Sequence, residues 1–117
     1  NDMRVKVSET GIYTYPDIVA ACADPQFEDA EVDTLLNPVL IIEVLSDSTE
    51  QYDRGAKFQH YRTLPSLRDY LLVAQTEYRV EHYVREVSSR WSLEGYLDSG
   101  IDSHLFDFIG SLGYSGS

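Results

Sequence analysis

The feature that most constrains this chain is a carboxylate inside an apolar run, Val39-Leu40-Ile41-Ile42-Glu43-Val44-Leu45. A short apolar run of this kind reads as a strand buried on both faces. Burying a lone ionised carboxylate there is costly unless a cation or a metal compensates it. Glu43 therefore needs a partner, and the next predicted helix offers Asp53, Arg54 and Lys57. Upstream, Pro16-Asp17 leads into a second apolar strand, Ile18 to Cys22. Two acids on neighbouring strands with a lysine nearby suit a divalent metal. The plainer alternative is a structural ion pair between Glu43 and Lys57 or Arg54.

The rest of the chain surrounds that strand with other β elements. Met3-Arg4-Val5-Lys6-Val7 alternates apolar and polar, the period of a half-buried strand. Ser8 to Gly11 is turn-like, and Ile12 to Tyr15 is a short extended piece limited by Pro16. Residues 23–37 are polar and acidic and read as a surface loop. Ser48 with Gln51 matches a capping box, so a helix is expected from Thr49 or Tyr52 to Thr63. Gly55 weakens its middle by about 1 kcal/mol relative to alanine, which favours a late start. Asp69–Ala74, Tyr78–Glu86 and Arg90–Tyr96 are expected as three further strands, the last two forming a meander. A short element is expected between Leu105 and Leu112, and residues 113–117 should fray. The fold class is α+β, α/β-like in its one crossover helix, with a mixed sheet and a C-terminal antiparallel meander.

Size and charge narrow the function. The 117 residues suffice for one domain, 1–117. No apolar stretch is long enough to span a bilayer, so no membrane partner is expected and a cytoplasmic location is. The single Cys22 excludes an intrachain disulfide and reads as a core thiol in its strand. The net charge of −11 argues against unaided binding to duplex nucleic acid. The charge is uneven, however. Residues 51–68 carry Arg54, Lys57, Arg62 and Arg68 against Asp53 alone, the only basic stretch in the chain. His60, His82 and His104 lack metal-ligand spacing, and Trp91 and the tyrosines are expected to pack the sheet. The chain opens on Asn1 and enters strand-like sequence at once. The expectation is a truncated N-terminus whose loss exposes apolar surface and drives dimerisation.

Four segments together resemble one family: Tyr15-Pro16-Asp17-Ile18-Val19, Pro38 to Thr49, Asp53 to Arg62, and Leu67 to Val73. Their order and spacing are similar to the Uma2 endonucleases. The resemblance implies a restriction-endonuclease-like fold of the PD-(D/E)XK superfamily, without an N-terminal helical part. It implies that Asp17 and Glu43 are the two metal-binding acids, aided by the Val44 backbone carbonyl. Leu45 stands where the superfamily has lysine, and Lys57 on the following helix takes that role, with Asp53 and Tyr61 as support. The implied cofactor is Mg²⁺ or Mn²⁺, and the implied substrate is nucleic acid, DNA rather than RNA. The rivals are a catalytically inactive domain of this fold serving binding or assembly, and a structural acidic domain in which Glu43 is only an ion pair.

Overall fold

The computed structural model describes residues 3–22, 24–28, 34–46, 52, 54–74 and 79–97. The capping box, Asp53, and the segment from 98 onward lie outside these. Alternating burial defines the first strand, β1 (Arg4–Val7), whose Val5 and Val7 are fully buried. A turn closed by Gly11 N–H on the Val7 carbonyl at 2.7 Å leads to β2 (Ile12–Thr14). Gly11 has φ of 78°, which favours glycine at that turn. β3 (Ile18–Ala21) follows Pro16, and β4 (Thr34–Leu35) lies inside the expected surface loop. Then come β5 (Pro38–Leu45), α1 (Ala56–Tyr61), β6 (Asp69–Ala74), β7 (Arg79–Arg85) and β8 (Trp91–Leu97).

These strands form two sheets. The smaller has the order β2-β1-β4, and the larger β3-β5-β6-β7-β8. In the larger sheet only β5 and β6 run parallel; the other neighbours are antiparallel. A parallel neighbour requires a crossover, which brings the chain back over the sheet face. The crossover from β5 to β6 carries α1. Gly55 sits in a turn just before Ala56 and offers no side-chain cap, so the described helix starts after the expected weak point.

Period-two alternation sends β5 side chains to opposite faces. Ile41 and Leu45 join Val5, Val7, Phe58, Tyr61, Leu64, Leu67, Tyr70 and Leu72 in the main core, between the larger sheet, α1 and the smaller sheet. Ile42 points the other way, with Leu71, Val73 and Val80. Trp91, Tyr61, Tyr70 and Tyr83 pack on the main core, whereas Tyr13, Tyr15 and Tyr52 are exposed. Phe58 stacks on Tyr70 at 4.9 Å and meets Trp91 edge-on at 5.4 Å.

Two local expectations are corrected. The 23–37 segment is not all loop, because Thr34 and Leu35 pair in parallel with Arg4 and Val5. Cys22 lies just past β3 and is exposed, not a core thiol. Ala21 pairs with Pro38, the first residue of β5, so the ladder runs out before Cys22.

Candidate functional site

Glu43 belongs to the row of β5 that faces α1, and it is 3% exposed. Its charge is met from the helix. Lys57 Nζ lies 2.8 Å from Glu43 Oε2, and the Tyr61 hydroxyl donates to the same oxygen at 3.1 Å. Lys57 and Tyr61 are four residues apart, so one helical face presents both. The Tyr61 oxygen also lies 2.9 Å from the Thr14 hydroxyl, and with its one proton on Glu43 it accepts there, which ties the end of β2 to the site.

Asp17 approaches from the other side. The β3–β5 ladder pairs Ile18 with Ile42 and Val19 with Ile41. Asp17 stands one residue before that ladder and is exposed. The Asp17 carboxylate accepts the Val44 N–H at 2.8 Å. The N–H and C=O of one strand residue point to the same edge, so the Val44 carbonyl also faces Asp17. A cavity of about 450 Å³ opens beside Asp17, walled by Pro16, Val19, Phe27 and Leu35 among others. Among the described residues, no group of three or more His, Cys, Asp or Glu side chains is placed to hold a metal.

One acid of this face was not singled out from sequence. Leu72 pairs with Glu43 on one side and with Glu81 on the other. Glu81 therefore stands in the same transverse row, two strand spacings or roughly 10 Å from Glu43. Arg54 binds it, with Nε 2.9 Å from Oε1 and Nη2 against Oε2. Tyr83 donates to Glu81 Oε1 at 3.3 Å. Burial raises the Tyr83 pKa, and the charge of Glu81 raises it further, so the phenol stays protonated. The signal was available in phase. Glu81 alternates in step with Tyr83, an aromatic that packs on the main core. Sequence reasoning left Arg54 and Lys57 as rival partners for Glu43. The structure gives Lys57 to Glu43 and Arg54 to Glu81.

The arrangement of Asp17, Glu43, Lys57 and Tyr61 lies within a longer similarity. The Uma2 family, described as "Putative restriction endonuclease", matches residues 1–112. The chain belongs to the Uma2 family. Two curated relatives come from Synechocystis sp. "Uncharacterized protein sll1609" is 43% identical over 93 residues, covering 80% of this chain and 52% of that protein. "Uncharacterized protein slr1290" is 38% identical over 99 residues, covering 85% of this chain and 51% of that protein. The chain thus spans about half the length of the curated relatives it matches. No solved structure matches it. The mixed sheets and the crossover helix of the described residues are consistent with the α+β, restriction-endonuclease-like fold of Uma2 proteins. Among the described residues, no helix is long and apolar enough to cross a membrane.

Proposed function

We propose that this Uma2 domain is a metal-dependent nuclease acting on nucleic-acid phosphodiester bonds, DNA rather than RNA. The observation that carries the reading is a buried carboxylate, Glu43, paired with Lys57 at 2.8 Å, beside a Val44 N–H that donates to Asp17 at 2.8 Å. The oxygens fit the proposed ion. Mg²⁺ takes hard oxygen ligands, keeps several waters and is commonly held by one or two carboxylates. Asp17, Glu43 and the Val44 carbonyl would hold Mg²⁺ or Mn²⁺. Such an ion polarises a phosphate and lowers the pKa of bound water.

The chain's own groups supply the remaining parts. Lys57 brings a cation to the acidic pair, where it orients a water or offsets charge developing on phosphate. Tyr61 fixes the Glu43 carboxylate through Oε2, and Thr14 fixes Tyr61. Glu81 with Arg54 holds the approach to α1 against the sheet. Asp53 remains a proposed supporting residue.

Cleavage of DNA and RNA substrates, with Mg²⁺, Mn²⁺ or EDTA, tests the reading. Activity should require the metal. Glu43→Gln should abolish it, because the amide keeps the shape and loses the charge that holds the ion. Lys57→Ala should slow cleavage and leave metal binding largely intact. Undiminished cleavage by Glu43→Gln would place the site elsewhere.

The second reading is a domain of this fold that binds or assembles without cleaving. A specific observation favours it: Lys57 already compensates Glu43, and Leu45 is packed in the main core. Metal binding without cleavage over a wide substrate panel would select that reading. Self-association as a dimer, in the cytoplasm, completes the proposal, and light scattering tests the oligomeric state.

A further inference from the structure

Once Arg54 and Lys57 are assigned to Glu81 and Glu43, two arginines of the basic 51–68 stretch remain, Arg62 and Arg68. Arg62 closes α1, Arg68 precedes β6, and both are exposed. Among the described residues, no carboxylate pairs with either. β7 delivers a third arginine to the same place. The Arg85 amide donates to the Arg68 carbonyl at 2.9 Å, and Arg85 Nη2 donates to the Arg62 carbonyl at 2.9 Å. Arg85 also donates to the Leu64 and Pro65 carbonyls, and its guanidinium lies 4.9 Å from the Trp91 ring centre. Arg62 stands 5.5 Å over the Phe58 ring. Arg85 is thus committed to the backbone past α1, and it fixes where Arg62 and Arg68 sit.

The acids nearest in sequence do not neutralise this group. Asp69 follows Arg68 but binds His82 at 2.8 Å. Glu86 follows Arg85 and makes no ion pair with any described residue. Burial lowers the Arg85 pKa, and the charges of Arg68 and Arg62 lower it further, which reports mutual repulsion among the three. A chain of net charge −11 has acids to spare, yet here it gathers cations without one. By strand alternation Arg68 and Arg85 share the face of Tyr70, Leu72 and Glu81, the face of Glu43. Arg68 lies four residues before Leu72, the neighbour of Glu43, or roughly 13 Å along the strand at about 3.3 Å per residue.

We propose that Arg62 and Arg68, seated on Arg85, bind the phosphate backbone of a nucleic-acid strand entering the Glu43 site. The inference rests on the nuclease reading for its choice of ligand. Two exposed guanidiniums offset from the acids suit a polymer of phosphates better than one phosphate. The offset of roughly 13 Å is about four nucleotides at the axial rise of one strand, ~3.4 Å. The acidic remainder of the chain repels phosphate, so this patch also sets the direction of approach.

The test is fluorescence anisotropy with a labelled duplex oligonucleotide in EDTA, where a metal-dependent enzyme does not cut, titrated with salt. The R62A/R68A variant should lower the steepness of log K against log salt by about 1.8, since each phosphate contact contributes about 0.9. The R62K/R68K variant keeps both charges and should keep the slope, which separates lost charge from lost folding. Equal slopes for wild type and R62A/R68A overturn the proposal, as does a wild type that binds no oligonucleotide at low salt. The nuclease reading fails separately. A slope change without Mg²⁺-dependent cleavage keeps the patch and removes the nuclease. Cleavage with equal slopes does the reverse.

Discussion

Two lysine–glutamate pairs in this domain have the same nitrogen–oxygen distance and different surroundings. Lys57 and Glu43 lie 2.8 Å apart with side chains 13% and 4% exposed. Lys6 and Glu28 also lie 2.8 Å apart, but both side chains are 31% exposed. Distance therefore does not distinguish them, and solvent does. In the first pair each charge has given up water and depends on its partner. In the second, water screens both charges and holding two side chains in place costs entropy. Glu43 is held in the first kind of place, where loss of one partner is felt by the other. The second kind fixes a surface.

The largest expected effect comes from breaking the buried pair. Lys57→Ala leaves Glu43 buried without its cation and should destabilise the domain by about 3–5 kcal/mol. Urea denaturation measures this. Replacing both partners with apolar residues of similar size, Glu43→Leu with Lys57→Met, should be far less destabilising, because no unpaired charge remains. The metal sharpens the comparison. If Asp17 and Glu43 hold Mg²⁺, added Mg²⁺ should restore part of the stability of Lys57→Ala, about 2.7 kcal/mol at a hundredfold excess over Kd. No recovery at any Mg²⁺ concentration would favour the structural ion pair over the metal site.

Tyr61→Phe should have an intermediate effect. It keeps the ring, 5.4 Å from Tyr70, and removes only the hydroxyl that donates to Glu43. Leaving a buried acceptor short of a partner costs about 1–3 kcal/mol. The loss should be smaller in a Thr14→Val background, where the second partner of that hydroxyl is already gone. Additive losses would show that Thr14 and Glu43 do not share the hydroxyl in solution.

The sequence was legible where a local period or its violation carried the information. The Asp69–Ala74 strand was read with its observed bounds, and the central strand was short by one residue, Pro38. Glu43 stood out because it broke an apolar run. Tyr61 followed Lys57 by one helical turn, so a family resemblance and helical phase agreed. What stayed hidden depended on pairing between distant segments. β4 has two residues and no period to detect, and it exists because β1 offers its edge. Thr14 reaches the site from the smaller sheet, 47 positions from Tyr61. Glu81 shares its face of β7 with Tyr83, and that face is covered by Phe58 from a distant segment. The choice between Arg54 and Lys57 needed the sheet order, which sets Glu81 two strands from Glu43.

The smallest expected effect belongs to the exposed pair, and pH gives it a defined sign. Hydrogen bonds from Lys6 and then Tyr13 hold the Glu28 pKa below its ordinary 4.5. A carboxylate with a depressed pKa contributes stability above its unfolded value and loses it as pH falls through the folded value. The hydrogen bond to Glu28, with that residue's charge, raises the Lys6 pKa above its ordinary 10.5. A lysine with a raised pKa contributes fully below its unfolded value and loses the contribution as pH rises through the folded value. The pair therefore acts between those limits, from above pH 4.5 to below pH 10.5. In that window Glu28→Gln should lower the melting temperature slightly, and the difference from wild type should vanish toward acid. It should also shrink in salt concentrated enough to bring the Debye length to about 3 Å. The Lys57→Ala penalty should survive the same salt, because a pair as buried as Lys57–Glu43 is screened far less than an exposed one. A Glu28→Gln penalty as large and as salt-resistant as that of Lys57→Ala would show that burial does not set the worth of these two pairs.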